Sequence, residues 1–263
     1  MKTAKPSSRE QFVGPLVLVV VGVVIVGLIG YFGRSARKDT SSAAPPTPAS
    51  APSPAPQSDA QNRTLPARYR AADAPPNMVL AFDPLYAKGD KKAPVVLVEF
   101  SDYQCPFCAR HVRETVPQIE REYVQTGKLR YAFRNYPLEA IHPQAFKAAE
   151  ASLCAGEQGK FWQMHDQLFA NQRALRPEDL HRHAQTIGLN VARFRQCLES
   201  GKYAGKVRQD QSDGQKVGIR GTPYFAIGYP DGNDRVKVAK IISGAYPFQS
   251  FKEAIDSLLS SRK

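Results

Sequence analysis

The sequence predicts an α/β domain in which a short strand–helix frame is interrupted by a block of helices. An apolar, β-branched run, Val95-Val96-Leu97-Val98-Glu99-Phe100, is long enough for a buried strand and too short for a helix, and helix-forming residues follow it from Ala109 to Glu114. From about residue 143 to 217 the periodicity is helical throughout. Strand patterns then return at Tyr224–Gly228 and Val236–Ile242 around a Pro-Asp-Gly turn, before a closing amphipathic helix carrying Phe248, Phe251, Ile255, Leu258 and Leu259.

Ahead of this domain lies residue run 12–33, which carries no charge and is dominated by Val, Leu, Ile and Gly. It is long enough to cross a bilayer as a helix. Lys2, Lys5 and Arg9 precede it and Arg34, Arg37 and Lys38 follow, so flanking charge alone does not set its orientation. A cleaved signal peptide competes with a retained anchor. The long apolar region and the lack of an Ala-x-Ala site favour the anchor, with residues 1–11 as a cytoplasmic tail. No cysteine follows the run, which excludes a lipoprotein anchor. Residues 34–77 read as a linker: Thr40–Pro66 holds seven prolines among Ala, Ser and Thr and cannot bury enough surface to fold. The folded domain is expected over 78–262, with its helical insertion at about 140–217. Met78-Val79-Leu80 suggests an edge strand, Phe82–Tyr86 a packed turn and Leu129–Arg134 a second frame strand. Within the insertion, Arg176-Pro177-Glu178-Asp179 reads as a helix start.

The chain has 263 residues and a net charge of +12. Its Lys and Arg are scattered, and no stretch interleaves aromatics with a basic stripe, so nucleic acid is not an expected partner. A basic surface near an anionic membrane accounts for the balance.

The chemistry concentrates in Cys105-Pro106-Phe107-Cys108. Zinc needs four ligands, and no second cysteine pair or closely spaced histidines accompany these two. A purely structural disulfide across two residues is uncommon. A redox dithiol fits a strand before the pair and a helix after it. At the helix start, unpaired amides and the dipole favour a thiolate on Cys105, Pro106 suits the first turn, and Cys108 lies one turn on. Gly221-Thr222-Pro223-Tyr224 either simply starts a strand or holds a cis-proline beside the dithiol, leaving free backbone for a substrate strand. Glu99 interrupts an apolar strand. It either points to solvent or is a buried carboxyl with a raised pKa that relays protons for Cys108. Cys154 and Cys197 lie on apolar faces of the insertion. Behind an export signal, with Cys105 and Cys108 taken as a pair, they are expected to bridge. His111 is expected either to stabilise the thiolate or to lie on the surface. His142, His165, His181 and His183 show no ligand spacing, and neither metal nor other cofactor is expected.

Val-Glu-Phe-Ser-Asp-Tyr-Gln-Cys-Pro-Phe-Cys over 98–108, the helical insertion, and Gly-Thr-Pro-Tyr-Phe over 221–225 together resemble the DsbA-like thiol:disulfide oxidoreductases. The resemblance covers roughly Met78 to Leu259. It implies a thioredoxin fold with an inserted helical domain, Cys105 as exposed nucleophile, Cys108 as resolving thiol, Pro223 as cis-proline and Glu99 as buried acid. Some members of the family also carry a disulfide in the insertion. Substrate is expected to meet Thr222, Pro106 and Phe107. Partners implied are exported cysteine-containing proteins and a membrane redox protein, around a monomeric catalytic domain on the extracytoplasmic side of a bacterial inner membrane. Two features depart from the strongly oxidising members: Pro-Phe between the cysteines where those have Pro-His, and Thr before the proline. These leave an isomerase or reductase as the alternative. From a different class, a tethered holdase using the same cleft is the other reading.

Overall fold

The computed structural model describes residues 66–232 and 234–261. The expected anchor at 12–33 and most of the expected linker lie outside them. Among the described residues no helix is long and apolar enough to cross a membrane.

The frame is a mixed sheet. Its strands are β1 (Ala72–Asp73), β2 (Val79–Ala81), β3 (Ala87–Lys88), β4 (Val95–Ser101), β5 (Leu129–Asn135), β6 (Tyr224–Pro230) and β7 (Arg235–Ser243). The order is β1-β7-β6-β4-β5-β3, with β2 also paired to β7. β4 runs parallel to β5, so Glu99 pairs with Phe133 and Leu97 with Tyr131, and antiparallel to β6, so Glu99 faces Phe225 across the ladder. Every residue of β4 and β5 is buried, which explains the unbroken apolar run of β4. The register slips between Ile227 and Gly228, where a Cβ would sit 2.0 Å from the Lys237 carbonyl oxygen, so only glycine fits.

The sheet extends further toward the N-terminus than the expected boundary at 78. Ala72 pairs with Ile241 and Asp73 with Lys240, and the Tyr69 ring packs edge-on against Tyr246 at 5.4 Å. β1 is two exposed residues long, too short and too polar to leave a hydrophobic pattern.

α1 (Pro106–Glu114) follows β4, with Cys105 at its N-cap and Pro106 in its first turn. α2 (Val116–Ile119) runs into a π-helical turn at Glu120–Val124. α8 (Phe248–Ser260) closes the chain, and its Phe251, Ile255 and Leu258 pack with Val116, Ile119, Leu97 and Tyr131 on one face of the sheet. The other face buries Val96, Val98 and Phe100 against Leu80, Phe82 and Tyr136.

The insertion comprises α3 (Ala145–Gly156), α4 (Phe161–Ala170), α5 (Pro177–Thr186), α6 (Val191–Glu199) and α7 (Ala204–Lys216). Alanines at 145, 148, 149, 151 and 155 are all buried, so the neighbouring elements approach α3 closely. α5 starts where the Arg176-Pro177 pattern places it, with the Asp179 carboxylate accepting from the Arg176 amide at 3.2 Å. Arg134 of β5 is buried and donates to Asp210 (2.7 Å) and Asp213 (2.7 Å), docking α7 onto the frame. Cys154 of α3 is disulfide-bonded to Cys197 of α6, 43 residues on. Replacing both with alanine should destabilise the domain by about 3–4 kcal/mol, since the cross-link restricts the unfolded chain. Urea unfolding of the double variant measures this, and a loss under 1 kcal/mol would contradict it.

Candidate active site

β4 ends at Ser101, and Asp102 then organises the turn into α1. Its buried carboxylate accepts from the Gln104 amide (2.7 Å) and the Leu138 amide (2.7 Å) and lies 2.8 Å from His142 Nδ1. The Gln172 amide group clamps the same turn, donating to the carbonyls of Tyr103 (2.8 Å) and Cys105 (2.9 Å). Cys105 thus arrives at the helix N-terminus held from two sides. Neither Asp102 nor Gln172 stands out in the sequence, because a turn clamp leaves no periodic pattern.

The Thr222–Pro223 peptide bond is cis, and the Thr222 carbonyl oxygen accepts from Cys105 Sγ at 3.4 Å. Both cysteines are free thiols, and both are buried. Cys105 is only 3 % exposed, which corrects the expectation of an exposed nucleophile: the Thr222–Pro223 loop lies over the sulfur and the helical insertion flanks it. The exposed member of the motif is Phe107, at 55 %, with the Arg110 guanidinium over its ring.

The two sulfurs have opposite electrostatics. The Cys105 thiol is lowered to about 6, first by the hydrogen bond from the Cys108 thiol, then by the Thr222 side chain and the amides of Cys108 and Phe107, against the cost of burial. Burial pushes the Cys108 thiol well up, and hydrogen bonding to Cys105 adds to the shift. A titration of the reduced protein followed by thiolate absorbance should therefore show one thiolate forming near pH 6 and the second only under alkaline conditions. A single midpoint near that of free cysteine would contradict the geometry.

Glu99 is fully buried, and burial raises its carboxyl to about 7 despite the hydrogen bond from the Tyr131 hydroxyl. It therefore faces the interior rather than solvent. Ser101, two residues on along the same face of β4, neighbours both Glu99 and Cys108. Neither expectation for His111 holds. It is buried between Phe225 and Phe251, and burial lowers it to about 3, so the imidazole is neutral and supplies no cation to the thiolate. Its Nε2 lies 3.4 Å from the Tyr131 hydroxyl. Among the described residues no group of three metal-ligating side chains converges.

A strand leading to a dithiol at a helix N-terminus, faced by a cis-proline loop, is the architecture of the thioredoxin class. A family model described as thioredoxin matches residues 84–256, and the chain belongs to that family. Within it, the likeness is to DsbA-type proteins with a helical insertion: α-DsbA1 of Wolbachia pipientis superposes with a TM-score of 0.58 at 28% identity, covering 67% of this chain and 91% of that one. The "Probable disulfide bond formation protein D" of Bacillus anthracis is 28% identical over 194 residues, 70% of this chain and 82% of that protein. The "Na(+)/H(+) antiporter NhaA 3" of Salinispora tropica is 39% identical over 142 residues, 54% of this chain. The match spans only 21% of that antiporter's length.

Proposed function

We propose that the protein is a membrane-anchored thiol–disulfide oxidoreductase of the cell envelope that forms disulfides in exported proteins through its Cys105–Cys108 pair. The observation that carries this reading is a dithiol at the N-terminus of α1 with Cys105 Sγ 3.4 Å from the Thr222 carbonyl of the cis-proline loop, an arrangement that favours the Cys105 thiolate while burial keeps Cys108 protonated. In the oxidised form a substrate thiolate attacks Cys105 Sγ. The Cys105–Cys108 bond breaks, Cys108 leaves with the electron pair and takes a proton, and Glu99 is the buried group placed to supply it. A second substrate thiol attacks the mixed disulfide, releasing oxidised substrate and the Cys105 thiolate. A membrane redox protein then restores the disulfide.

Pro223 and the Thr222 backbone bind the substrate as an added strand, and Pro106 and the exposed Phe107 give sequence-tolerant contact. Cys154–Cys197 is the structural disulfide. Residues 1–11 form a cytoplasmic tail and 12–33 a single-pass anchor in a bacterial inner membrane. Residues 34–65 space the monomeric catalytic unit, whose sheet begins at β1, from the periplasmic surface. No further cofactor is required, because both electrons of each turnover reside in the sulfur pair. Alkylation trapping in growing cells tests the direction. Largely oxidised Cys105/Cys108 supports disulfide formation, and largely reduced thiols would assign the protein to isomerisation or reduction instead.

A further inference from the structure

We propose that Tyr131 and His111 extend Glu99 into a proton wire running from Cys108 to the cavity between α1 and the Ala245–Phe248 segment. The inference rests on the thiol-exchange reading and assigns two further positioning residues to it. Cys108 and Glu99 are both fully buried, so any proton they exchange needs a route to water. The Tyr131 hydroxyl donates to Glu99 Oε2 and lies 3.4 Å from His111 Nε2, a long contact that a shift of a few tenths of an ångström would close. With Tyr131 donating to Glu99, its oxygen is left to accept from Nε2–H, which leaves Nδ1 as a bare acceptor. Nδ1 is buried without a protein partner, and His111 lines the cavity together with Tyr69, Glu114 and Tyr246. Carboxylate, phenol and imidazole thus form a continuous file that ends at a residue lining the cavity, its last nitrogen buried and unpartnered.

His111 stays neutral, lowered first by burial and then by His165 and Lys88, so it keeps one N–H and one bare nitrogen, the state a relay requires. On the cavity side Arg110 and Glu114 of α1 flank His111. From the N-cap and first turn of α1 come the two cysteines, from β3 Lys88, from the π-helical turn Glu120, from the turn before α1 Tyr103, and from α4 His165 and Asp166. Lys88 is ion-paired with Glu120, with its ammonium over the Trp162 ring at 4.1 Å, and neither residue makes a hydrogen bond to the file.

The step served is resolution. When reduced protein meets a small aliphatic disulfide, Cys105 thiolate forms a mixed disulfide and one small thiol leaves. Cys108 then loses its proton to Glu99 and attacks Cys105 Sγ. The Cys105–Cys108 bond forms and the second small thiol departs with the electron pair; the proton leaves as the file turns over, with protonated Glu99 donating to the Tyr131 oxygen, the Tyr131 hydroxyl donating to Nε2 of the imidazole in its Nδ1–H tautomer, and Nδ1 giving up its proton.

Stopped-flow oxidation of the full-length reduced chain by oxidised glutathione, with quenched samples weighed for the mixed disulfide, separates the two steps. Tyr131→Phe removes one oxygen, and His111→Phe keeps an aromatic ring between Phe225 and Phe251. Both variants should form the mixed disulfide at the wild-type rate and resolve it about ten-fold more slowly below pH 7. Their resolution rate should rise with imidazole buffer concentration, whereas that of the wild type should not. Wild-type resolution in either variant overturns the wire, as does slowing that is the same at every pH and blind to buffer. A wild-type chain that forms no glutathione adduct overturns the thiol-exchange reading itself.

Discussion

Cys105→Ser should abolish thiol exchange, on the order of a thousand-fold or more, while Cys108→Ser should leave the first step intact and stop the second. The difference follows from where the protons sit. Cys105 is the sulfur whose thiolate is favoured, by the Cys108 thiol, by Thr222 and by the first amides of α1. Without it, the remaining thiol is the fully buried, protonated Cys108, which neither attacks nor is reached. In Cys108→Ser the hydroxyl remains a donor toward the Cys105 thiolate, so that thiolate is kept while the internal nucleophile is lost. The thiolate would still capture disulfides, and the adduct would persist because no internal thiol expels the partner. Cells carrying Cys108→Ser should accumulate mixed disulfides with exported proteins, separable on non-reducing gels, and cells carrying Cys105→Ser should accumulate none. Full rescue of a deletion strain by Cys105→Ser would show instead that the cleft serves as a holdase.

Much of this site was legible because its signals are local. Val95–Ser101 is apolar because it is the central strand with both faces covered, and Cys-Pro-Phe-Cys reports its own helix start through Pro106 at the first position. Gly-Thr-Pro preceded a strand pattern and so stood out. The features that escaped are set by contacts between distant segments. Tyr131 reaches Glu99 because β5 lies parallel to β4 in one particular register, and a tyrosine in a buried strand looks like any other core residue. His111 is a histidine on a helix whose exposure depends on α8 and β6 covering it. The burial of Cys105 depends on Thr222, 117 residues away. β1 adds by backbone pairing and by the ion pair of Asp73 with Lys240, so its two residues need no hydrophobic pattern.

Glu99→Gln should make the oxidised protein more stable than wild type at pH 8, and the advantage should shrink as the pH falls. A carboxyl raised from 4.5 to about 7 binds its proton more tightly folded than unfolded. Between those values the unfolded chain has released the proton and the folded chain has not, so stability falls as pH rises from 4.5 to 7 and is flat above. The linkage amounts to about 1 kcal/mol at pH 5 and about 3 kcal/mol at pH 8. Glutamine carries no charge at either pH, and its carbonyl oxygen still accepts from the Tyr131 hydroxyl, so the variant escapes this loss. Urea unfolding with both disulfides formed excludes thiol titration from the comparison. The variant's stability relative to wild type should improve by about 2 kcal/mol between pH 5 and pH 8. Parallel stability curves, or a Gln variant that loses ground at pH 8, would mean that Glu99 titrates normally and is no proton acceptor for Cys108. The same substitution should slow resolution by Cys108, since the amide cannot take the thiol proton. A change that stabilises the domain while impairing turnover places the cost of the buried carboxyl with its chemistry rather than with the fold.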